Sequence, residues 1–210
     1  MPDDASFQNS GSEDANAVRR RREILAAAVR CIRQFSARKV AVEDIAREAG
    51  ISRRTLYRFF QTRRDIMSAV AYERLSKIGH GVEAALAKCD TFEDAIVAGT
   101  IETIRLARAD RVFESLVEDD HTLILDPDPR DEGAPIRSLS AKIWLGVFRK
   151  ARKDGKLRQT IREQEALSWL IEVHRLFDIR PDLSDTEIED LLRKFVLPSL
   201  VSEGSRRRKA

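Results

Sequence analysis

Two stretches of the chain each place a pair of arginines directly after a helix-capping residue. These are Ser52-Arg53-Arg54 and Thr62-Arg63-Arg64. Ser and Thr are preferred N-cap residues, but a helix N-terminus carries partial positive charge and favours Asp or Glu in its first turn. Arginines in that position indicate an anionic partner, because arginine binds both phosphate oxygens and guanine edges through two parallel hydrogen bonds.

The charge distribution supports such a partner. Residues 19–64 have 14 Lys and Arg against 4 Asp and Glu, whereas residues 65–205 have 20 against 27. Over all 210 residues the formal charge is only +3. A compact basic segment on an acidic body predicts a polyanion-binding domain beside a second domain with another task. A merely solvated basic face is the weaker interpretation, because both arginine pairs follow caps inside this segment.

The arginines require two short helices to position them. Ile45 and Ala49 lie at helical spacing, and Gly50 is expected just past the end of that helix. Ser52 then caps a helix that runs to about Phe60. Two short helices with a tight turn form a helix-turn-helix, whose second helix enters the DNA major groove N-terminus first. In that geometry the residues pointing outward to bases or phosphates are Arg53, Arg54, Thr55 and Arg58, with Ser52 at the cap and Arg63 on backbone phosphate.

These residues resemble the N-terminal DNA-binding domain of the TetR family of transcriptional regulators. Three runs carry the resemblance without a gap: Ile24–Ala28, Asp44–Ser52 and Thr55–Phe60. It is close from Arg22 to about Val70 and only architectural beyond. It implies that Tyr57 contacts phosphate, the alternative being a ring packed on the first helix. Arg19 to Arg22 either reach phosphate or a minor groove, or form a solvated helix end.

The sequence departs from the family pattern at several positions. Ser36-Ala37 stands where a Gly-aromatic pair is usual, and Val40-Ala41 where Thr or Ser often caps the second helix. Lys39 is therefore expected to supply the missing phosphate contact. Arg54 replaces a small residue of the recognition helix, and Phe59 replaces a histidine.

The predicted fold is all-α, with an N-terminal three-helix helix-turn-helix domain and a helical ligand-binding and dimerisation body, about nine helices in all. The predicted boundaries are a disordered tail at 1–16, the DNA-binding domain at 17–62, the effector-binding and dimerisation domain at 63–203, and a basic tail at 204–210. Residues 126–135 read as an internal loop.

The resemblance implies a homodimer through the last two helices and an effector pocket among the middle helices. Candidate interface residues are Leu167, Leu170, His174, Leu192, Phe195 and Leu200, unless these helices pack only within one chain. Candidate ligand-lining residues are Phe113, Trp144, Phe148 and Trp169, unless they form ordinary core. The expected ligand is a small apolar or aromatic molecule, and the expected DNA site is an imperfect inverted repeat.

Other function classes lack a signal. The chain has no phosphate loop, nucleophile elbow or HExxH motif, so no enzymatic activity and no cofactor are expected. The acidic run with His121, Asp126 and Asp128 has neither zinc nor EF-hand spacing, so no metal is expected. No apolar run suits a membrane span or a signal peptide, which favours a cytoplasmic protein. The sequence predicts a DNA-binding transcriptional regulator, a repressor released by a ligand; the alternatives are a dimeric regulator without an effector and an interaction protein that no longer binds DNA.

Overall fold

The computed structural model describes residues 6–120 and 135–202, and the regular elements in these ranges are helices. The all-α prediction is confirmed. The helices are α1 Ser6–Phe35, a 3-10 turn Ala37–Lys39, α2 Val42–Glu48, α3 Arg53–Phe59, α4 Arg63–Leu86, α5 Phe92–Ala109, α6 Arg111–Asp119, α7 Pro135–Lys153, α8 Glu163–Asp178, α9 Asp185–Leu191, a π-helical segment Leu192–Val196, and α10 Leu197–Leu200.

The chain divides into two compact units. The first comprises residues 1–71 and 114–124, and the second comprises residues 72–113 and 125–210. The first unit is larger than the predicted domain at 17–62, because the start of α4 contributes Ile66 and Val70 to its core. The end of α6 also belongs to it, and there Ser115 Oγ accepts a hydrogen bond of 2.8 Å from the backbone N–H of Ala37.

Local signals determine the ends of the helices in the first unit. Gly50, between α2 and α3, has a φ of +65°, the left-handed conformation expected of a glycine past a helix end. Ser52 Oγ accepts a 3.1 Å hydrogen bond from Thr55 N. Asp65 Oδ2 accepts from Thr62 N at 2.8 Å, and Thr62 Oγ1 accepts from Asp65 N at 3.1 Å. Both arginine pairs therefore do follow capping residues.

The N-terminal region differs from the prediction. The sequence predicts a disordered tail over residues 1–16, whereas α1 begins at Ser6. No proline lies between Ser6 and the packed C-terminal half of α1, so the helical hydrogen bonds of the backbone continue toward the N-terminus. Residues 126–134 of the predicted loop and the predicted basic tail at 204–210 lie outside the described residues, as do the candidate metal ligands His121, Asp126 and Asp128.

The core of the second unit is aromatic. Trp144 and Phe148 of α7 are 2% and 0% exposed, and Phe148 meets Phe92 of α5 edge-on with ring centroids 6.1 Å apart. Gly99 lets α5 approach this cluster, since a Cβ there would lie 2.5 Å from the Trp144 ring. At the C-terminus, residues around Leu157 pair with the chain end: Arg158 N donates to Leu200 O at 2.8 Å, and Ser202 N donates to Lys156 O at 2.8 Å.

Candidate nucleic-acid interface

The helix α3 presents one buried side and one exposed side. Leu56 and Phe60, at 0% and 2% exposure, pack into the first unit's core. Tyr57 is 42% exposed, so its ring is not fully packed on α1, which is compatible with a phosphate contact. The exposed side also presents Arg53, Arg54 and Arg58. The short helix thus offers three guanidinium groups to an incoming polyanion, with its N-terminal backbone N–H groups beside them.

The arginines of this surface differ in their partners. Arg53 Nη2 lies 3.0 Å from Glu43 Oε1 in the first turn of α2, whereas Arg54 has no ion-pair partner within the described part of the chain. The guanidinium of Arg58 lies 5.6 Å from the centroid of the Phe59 ring. Thr55 Oγ1 and Ser52 Oγ are 2.9 Å apart and share a hydrogen bond. Arg54 is therefore the least constrained of the three, and Thr55 is partly occupied by its own cap.

A groove of about 680 Å³ lies between α1 and α3. Its lining includes Arg19 and Arg20 from α1 and Ser52, Thr55 and Arg58 from the turn and α3. Below it, Arg21 holds the two helices together: its Nη1 donates to Phe59 O at 3.2 Å, and its guanidinium lies 4.1 Å from the centroid of the Phe60 ring. The groove is basic and polar, as a site for a phosphate backbone must be. The sequence leaves two interpretations of the Arg19–Arg22 run: contact with DNA or a solvated helix end. For Arg19 and Arg20, which line the groove, the geometry is compatible with contact to DNA. Arg21 instead contacts Phe59 and Phe60 within the protein.

The structure corrects the interpretation of Arg63. Its guanidinium does not extend from the surface toward a phosphate; it donates to Val40 O at 3.0 Å, to Ala37 O at 2.5 Å and to Asp119 Oδ2 at 2.9 Å. Asp119 is itself only 12% exposed. Arg63 thus ties the loop before α2 to the end of α6 within the first unit. Its neighbour Arg64 similarly pairs with Asp120 at 3.0 Å.

The second arginine pair therefore has a different explanation from the first. Its partners are the carboxylates of Asp119, the last residue of α6, and of Asp120 just after it, each 56 residues away along the chain. No local pattern identifies such a partner; the available signal is the consecutive pair Asp119-Asp120. Lys39, at the end of the 3-10 turn, is exposed, which is consistent with a phosphate contact.

The candidate ligand residues do not form one site. Phe113, Trp144 and Phe148 are buried in the packed core, at 5%, 2% and 0% exposure, as the core interpretation requires. Trp169 is 44% exposed, and its Nε1 donates to Ser199 Oγ at 3.0 Å. A pocket of about 440 Å³ does open in the second unit, with none of the four in its lining. Its wall includes Leu86, Cys89, Asp90, Phe92, Ala95, Val147, Lys150, Ala151 and Lys156.

The candidate dimer residues also separate into two groups. Leu167, Leu170, Leu192 and Leu200 are at most 1% exposed, so they belong to the core of their own chain and cannot contact a partner. His174 also faces inward: its Nε2 is 3.3 Å from Thr100 Oγ1, and burial lowers the pKa of the imidazole to about 4. Phe195, in contrast, is 68% exposed.

Three residues that the sequence interpretation did not assign to an interface join Phe195 on the surface. Trp169, Leu176 and Ile179 are 44%, 55% and 75% exposed, and they follow one side of α8 and its C-terminal end. We call these three and Phe195 the exposed apolar stripe. Trp169 and Leu176 are seven residues apart, a spacing that places them on the same face of a helix. The sequence alone does not identify this face as the exposed one, because the buried face of α8 is equally apolar.

None of the helices in the described ranges is both long and apolar enough to cross a membrane. Across residues 6–120 and 135–202, no group of three His, Cys, Asp or Glu side chains is arranged to hold a metal ion.

Comparison with known proteins gives one family and one fold. The family model for bacterial regulatory proteins of the tetR family matches residues 24–70. No curated protein matches the sequence. Among solved structures, RolR in complex with resorcinol is 14% identical with a TM-score of 0.71, covering 93% of this chain and 94% of that one. The TetR family repressor AlkX from a Dietzia strain, implicated in biodegradation of n-alkanes, is 20% identical with a TM-score of 0.62, covering 85% and 93%.

A third solved structure, that of superantigen PfiT, is 18% identical with a TM-score of 0.57, covering 88% of this chain and 97% of that one. At such identities these likenesses show a shared fold and nothing finer. The family match, in contrast, falls on the unit that presents Arg53, Arg54 and Arg58 beside a capped helix start. Regulators of this family are DNA-binding proteins without enzymatic activity. Residues 24–70 therefore form a DNA-binding domain of the tetR family of bacterial regulatory proteins.

Proposed function

We propose that this chain is a dimeric repressor that binds an imperfect inverted repeat in DNA and is released by a small apolar or aromatic ligand. The observation that carries the DNA-binding half is the exposed side of α3, where Arg53 and Arg54 begin a helix capped by Ser52 and Arg58 is exposed in its last turn. Arginine on guanine O6 and N7 is the commonest specific base contact. Tyr57 and Lys39, both exposed, are then the phosphate contacts that set the orientation of the helix.

The exposed apolar stripe supports the dimer. Its four large apolar side chains are all exposed in the second unit, and Trp169 of α8 donates a hydrogen bond to Ser199 of α10. Aromatic anchors of this kind are typical of the buried centre of an interface. A two-fold dimer presents two recognition helices about 34–36 Å apart, one turn of DNA, which explains the expected inverted repeat.

The 440 Å³ pocket supports the ligand response. Its size falls within the range of small-molecule sites, about 300–1,000 Å³. Leu86, Phe92 and Ala95 give it an apolar floor, and Phe92 touches the buried Phe148. A ligand on this floor would act on the packing of α5 against α7. RolR bound to resorcinol and AlkX, a repressor implicated in n-alkane biodegradation, share the fold and favour an aromatic or aliphatic effector.

A second candidate is a dimeric regulator without an effector. The observation that favours it is the dense core: Trp144 and Phe148 are almost fully buried, and the Trp144 ring leaves no room for a Cβ at position 99. In this case the pocket is a surface depression and only the abundance of the protein regulates its DNA occupancy.

Selection of bound sequences from random duplex DNA tests the proposal. Purified full-length protein should enrich an imperfect inverted repeat whose half-site centres are about one helical turn apart. The matched control is Arg54→Ala, which should reduce the enrichment without unfolding the protein. Recovery of no enriched sequence by folded wild-type protein would favour an interaction protein with this fold that no longer binds DNA.

A further inference from the structure

The surface that meets DNA contains a carboxylate in a position where a negative charge opposes binding. Glu43 lies in the first turn of α2, and its side chain is 44% exposed. In a helix-turn-helix the first helix crosses the DNA backbone, so this carboxylate faces a row of phosphates. An exposed ion pair contributes little to folding stability, because water and salt screen it. A first-turn carboxylate also suits the helix dipole, but that effect does not depend on a contact with Arg53. Stability therefore does not explain why this carboxylate pairs with Arg53.

The partner of this carboxylate is the first residue of the recognition helix. Glu43 Oε1 lies 3.0 Å from Nη2 of Arg53, whose side chain is 60% exposed. The neighbouring acidic residue is occupied otherwise: Asp44 accepts from Ala41 N at 3.1 Å and from Arg47 Nη1 at 3.3 Å. Glu43 is thus directed at Arg53, whereas Asp44 stabilises the start of its own helix.

We propose that Glu43 determines part of the DNA sequence preference by positioning Arg53 on a guanine edge and opposing its use on phosphate. The inference rests on the proposed DNA-binding function. Arginine has five N–H donors in a fixed fork, so one contact to Glu43 leaves enough donors for O6 and N7 of guanine. Guanine offers neutral acceptors, whereas a phosphate would bring a second anion beside the Glu43 carboxylate. That repulsion disfavours the contact of Arg53 with phosphate and leaves its contact with guanine unaffected.

The consequence is a division of work between two neighbouring arginines. Arg54 has no ion-pair partner in the described ranges and is free to follow either phosphate or base. Arg53 is restrained by Glu43, and it contributes to binding where the plane of its guanidinium group is aligned with a guanine edge. Phosphate contacts are the same for every sequence, whereas base-edge contacts carry sequence information. Glu43 therefore lowers the affinity for DNA of any sequence and raises the preference for particular bases.

Sequence selection with Glu43→Gln, combined with binding to a random duplex over a salt series, tests this. The amide lacks the charge, so Arg53 gains access to phosphate. We expect affinity for random DNA to rise roughly fivefold near 0.15 M salt, and the salt slope to become more negative by about 0.9, the effect of one added phosphate contact. Guanine preference at one position of each half-site should fall about tenfold, and Arg53→Ala should lose preference at the same position.

Two further variants separate positioning from charge. Glu43→Asp keeps the charge but shortens the reach by one methylene, so guanine preference should fall while the salt slope stays that of the wild type. Glu48→Gln is the matched control, since Glu48 is also in α2 but pairs with Arg30 of α1 at 2.5 Å. It should leave the base preference unchanged. Thermal melts of each variant establish that the protein is folded.

The outcomes are distinct. If Glu43→Gln and Glu43→Asp retain a guanine preference that Arg53→Ala abolishes, the positioning role of Glu43 is wrong while the proposed function stands. If Arg53→Ala changes no base preference, Arg53 reads no base and the inference is also wrong. If folded wild-type protein enriches no sequence at all, the proposed function fails, and this inference fails with it.

Discussion

Ser36, which connects α1 to the 3-10 turn, has a backbone conformation that suits glycine. Its φ is 69° and its ψ is 154°, a combination that costs other residues about 1–3 kcal/mol. This is the position where the TetR family usually has glycine, so the departure seen in the sequence has a physical cost. Ser36→Gly should raise the free energy of unfolding by about 1 kcal/mol in urea titrations, after allowing for the greater entropy of an unfolded glycine. Ser36→Ala, which keeps a Cβ, should give no gain; equal stability of all three proteins would contradict the strain.

Arg63 should matter for folding more than for DNA contact. Arg63→Ala leaves Ala37 O, Val40 O and Asp119 without their donor. Because the site is only partly buried, we expect a loss of about 1–2 kcal/mol in the free energy of unfolding. Arg54→Ala, at an exposed position, should change stability by less than about 0.5 kcal/mol and should weaken DNA binding. If Arg63→Ala instead reduced the salt dependence of DNA binding at unchanged stability, the phosphate role first read from the sequence would be right.

Asp178 and His174, one turn apart on α8, should give the second unit opposing pH responses. Burial raises the pKa of Asp178 to about 6, with the charge of Arg108 acting against the shift. A raised carboxyl pKa stabilises the fold at low pH, and this contribution is lost as the pH rises from about 4 to 6. Burial lowers the pKa of His174 to about 4, so its contribution is present at neutral pH and is lost as the pH falls from about 6.5 to 4.

Removing the carboxyl group should expose the histidine response. In Asp178→Asn, unfolding free energy measured between pH 4 and 6 should rise with pH by about 2–3 kcal/mol more than in the wild type. Asp190→Asn, at an exposed position of α9, is the control and should follow the wild-type profile. A wild-type profile in Asp178→Asn would mean that the carboxyl titrates normally in the folded protein.

At the scale of helices, the sequence predicts the features that depend on residues close together along the chain. The cap at Ser52, the left-handed Gly50 and the cap at Thr62 follow from residues within one or two turns. The C-terminal helix is a case in which such local prediction fails. The apolar spacing over residues 184–202 predicts one regular helix, but a π-helical segment, Leu192–Val196, interrupts it and changes which side chains share a face. Leu192 becomes core while Phe195 becomes exposed, so periodicity alone could not distinguish interface from core.

The exposed apolar stripe should govern assembly. Ile179→Asp and Phe195→Asp each place a charge on an apolar surface that we assign to the dimer contact, where an unpaired charge is unfavourable. Both variants should be monomers by sedimentation or light scattering at concentrations where the wild type is dimeric, with unchanged thermal unfolding of the monomer fold. Thr186→Asp, on an exposed part of α9, adds the same charge elsewhere and should leave the dimer intact. Dimers in both stripe variants would assign the interface to another surface.

At the scale of the whole molecule, the uneven charge separates two tasks. We assign DNA contact to the basic residues 19–64, because the acidic remainder does not attract a polyanion. Sequence composition is sufficient for this assignment, since charge is read directly from residue type. It does not predict where a ligand would bind: the aromatic residues favoured for that role form the core, and the 440 Å³ pocket is lined by residues from the ends of three helices. Pockets depend on how elements pack, which no single stretch encodes.

Ligand release requires that the effector distinguish two states of the protein. To move the population from 1:99 to 99:1, its affinity for the DNA-incompetent state must be about 10⁴-fold higher, and by linkage it must bind more weakly when operator is present. The chain has two tryptophans, and Trp169→Phe leaves the buried Trp144 as the reporter. In this variant, an aromatic or aliphatic compound that changes Trp144 fluorescence should do so with lower affinity when operator is added.

A blocked pocket provides the control for this linkage. Val147→Trp fills the pocket between α5 and α7, and Arg149→Trp adds the same ring at a neighbouring exposed position outside its lining. We expect the first variant to keep DNA binding but lose the response to ligand, and the second to behave like its parent. Equal ligand affinity with and without operator would exclude that compound as an inducer. An unimpaired response in Val147→Trp would move the effector site away from this pocket, and the absence of any responsive compound would favour the regulator without an effector.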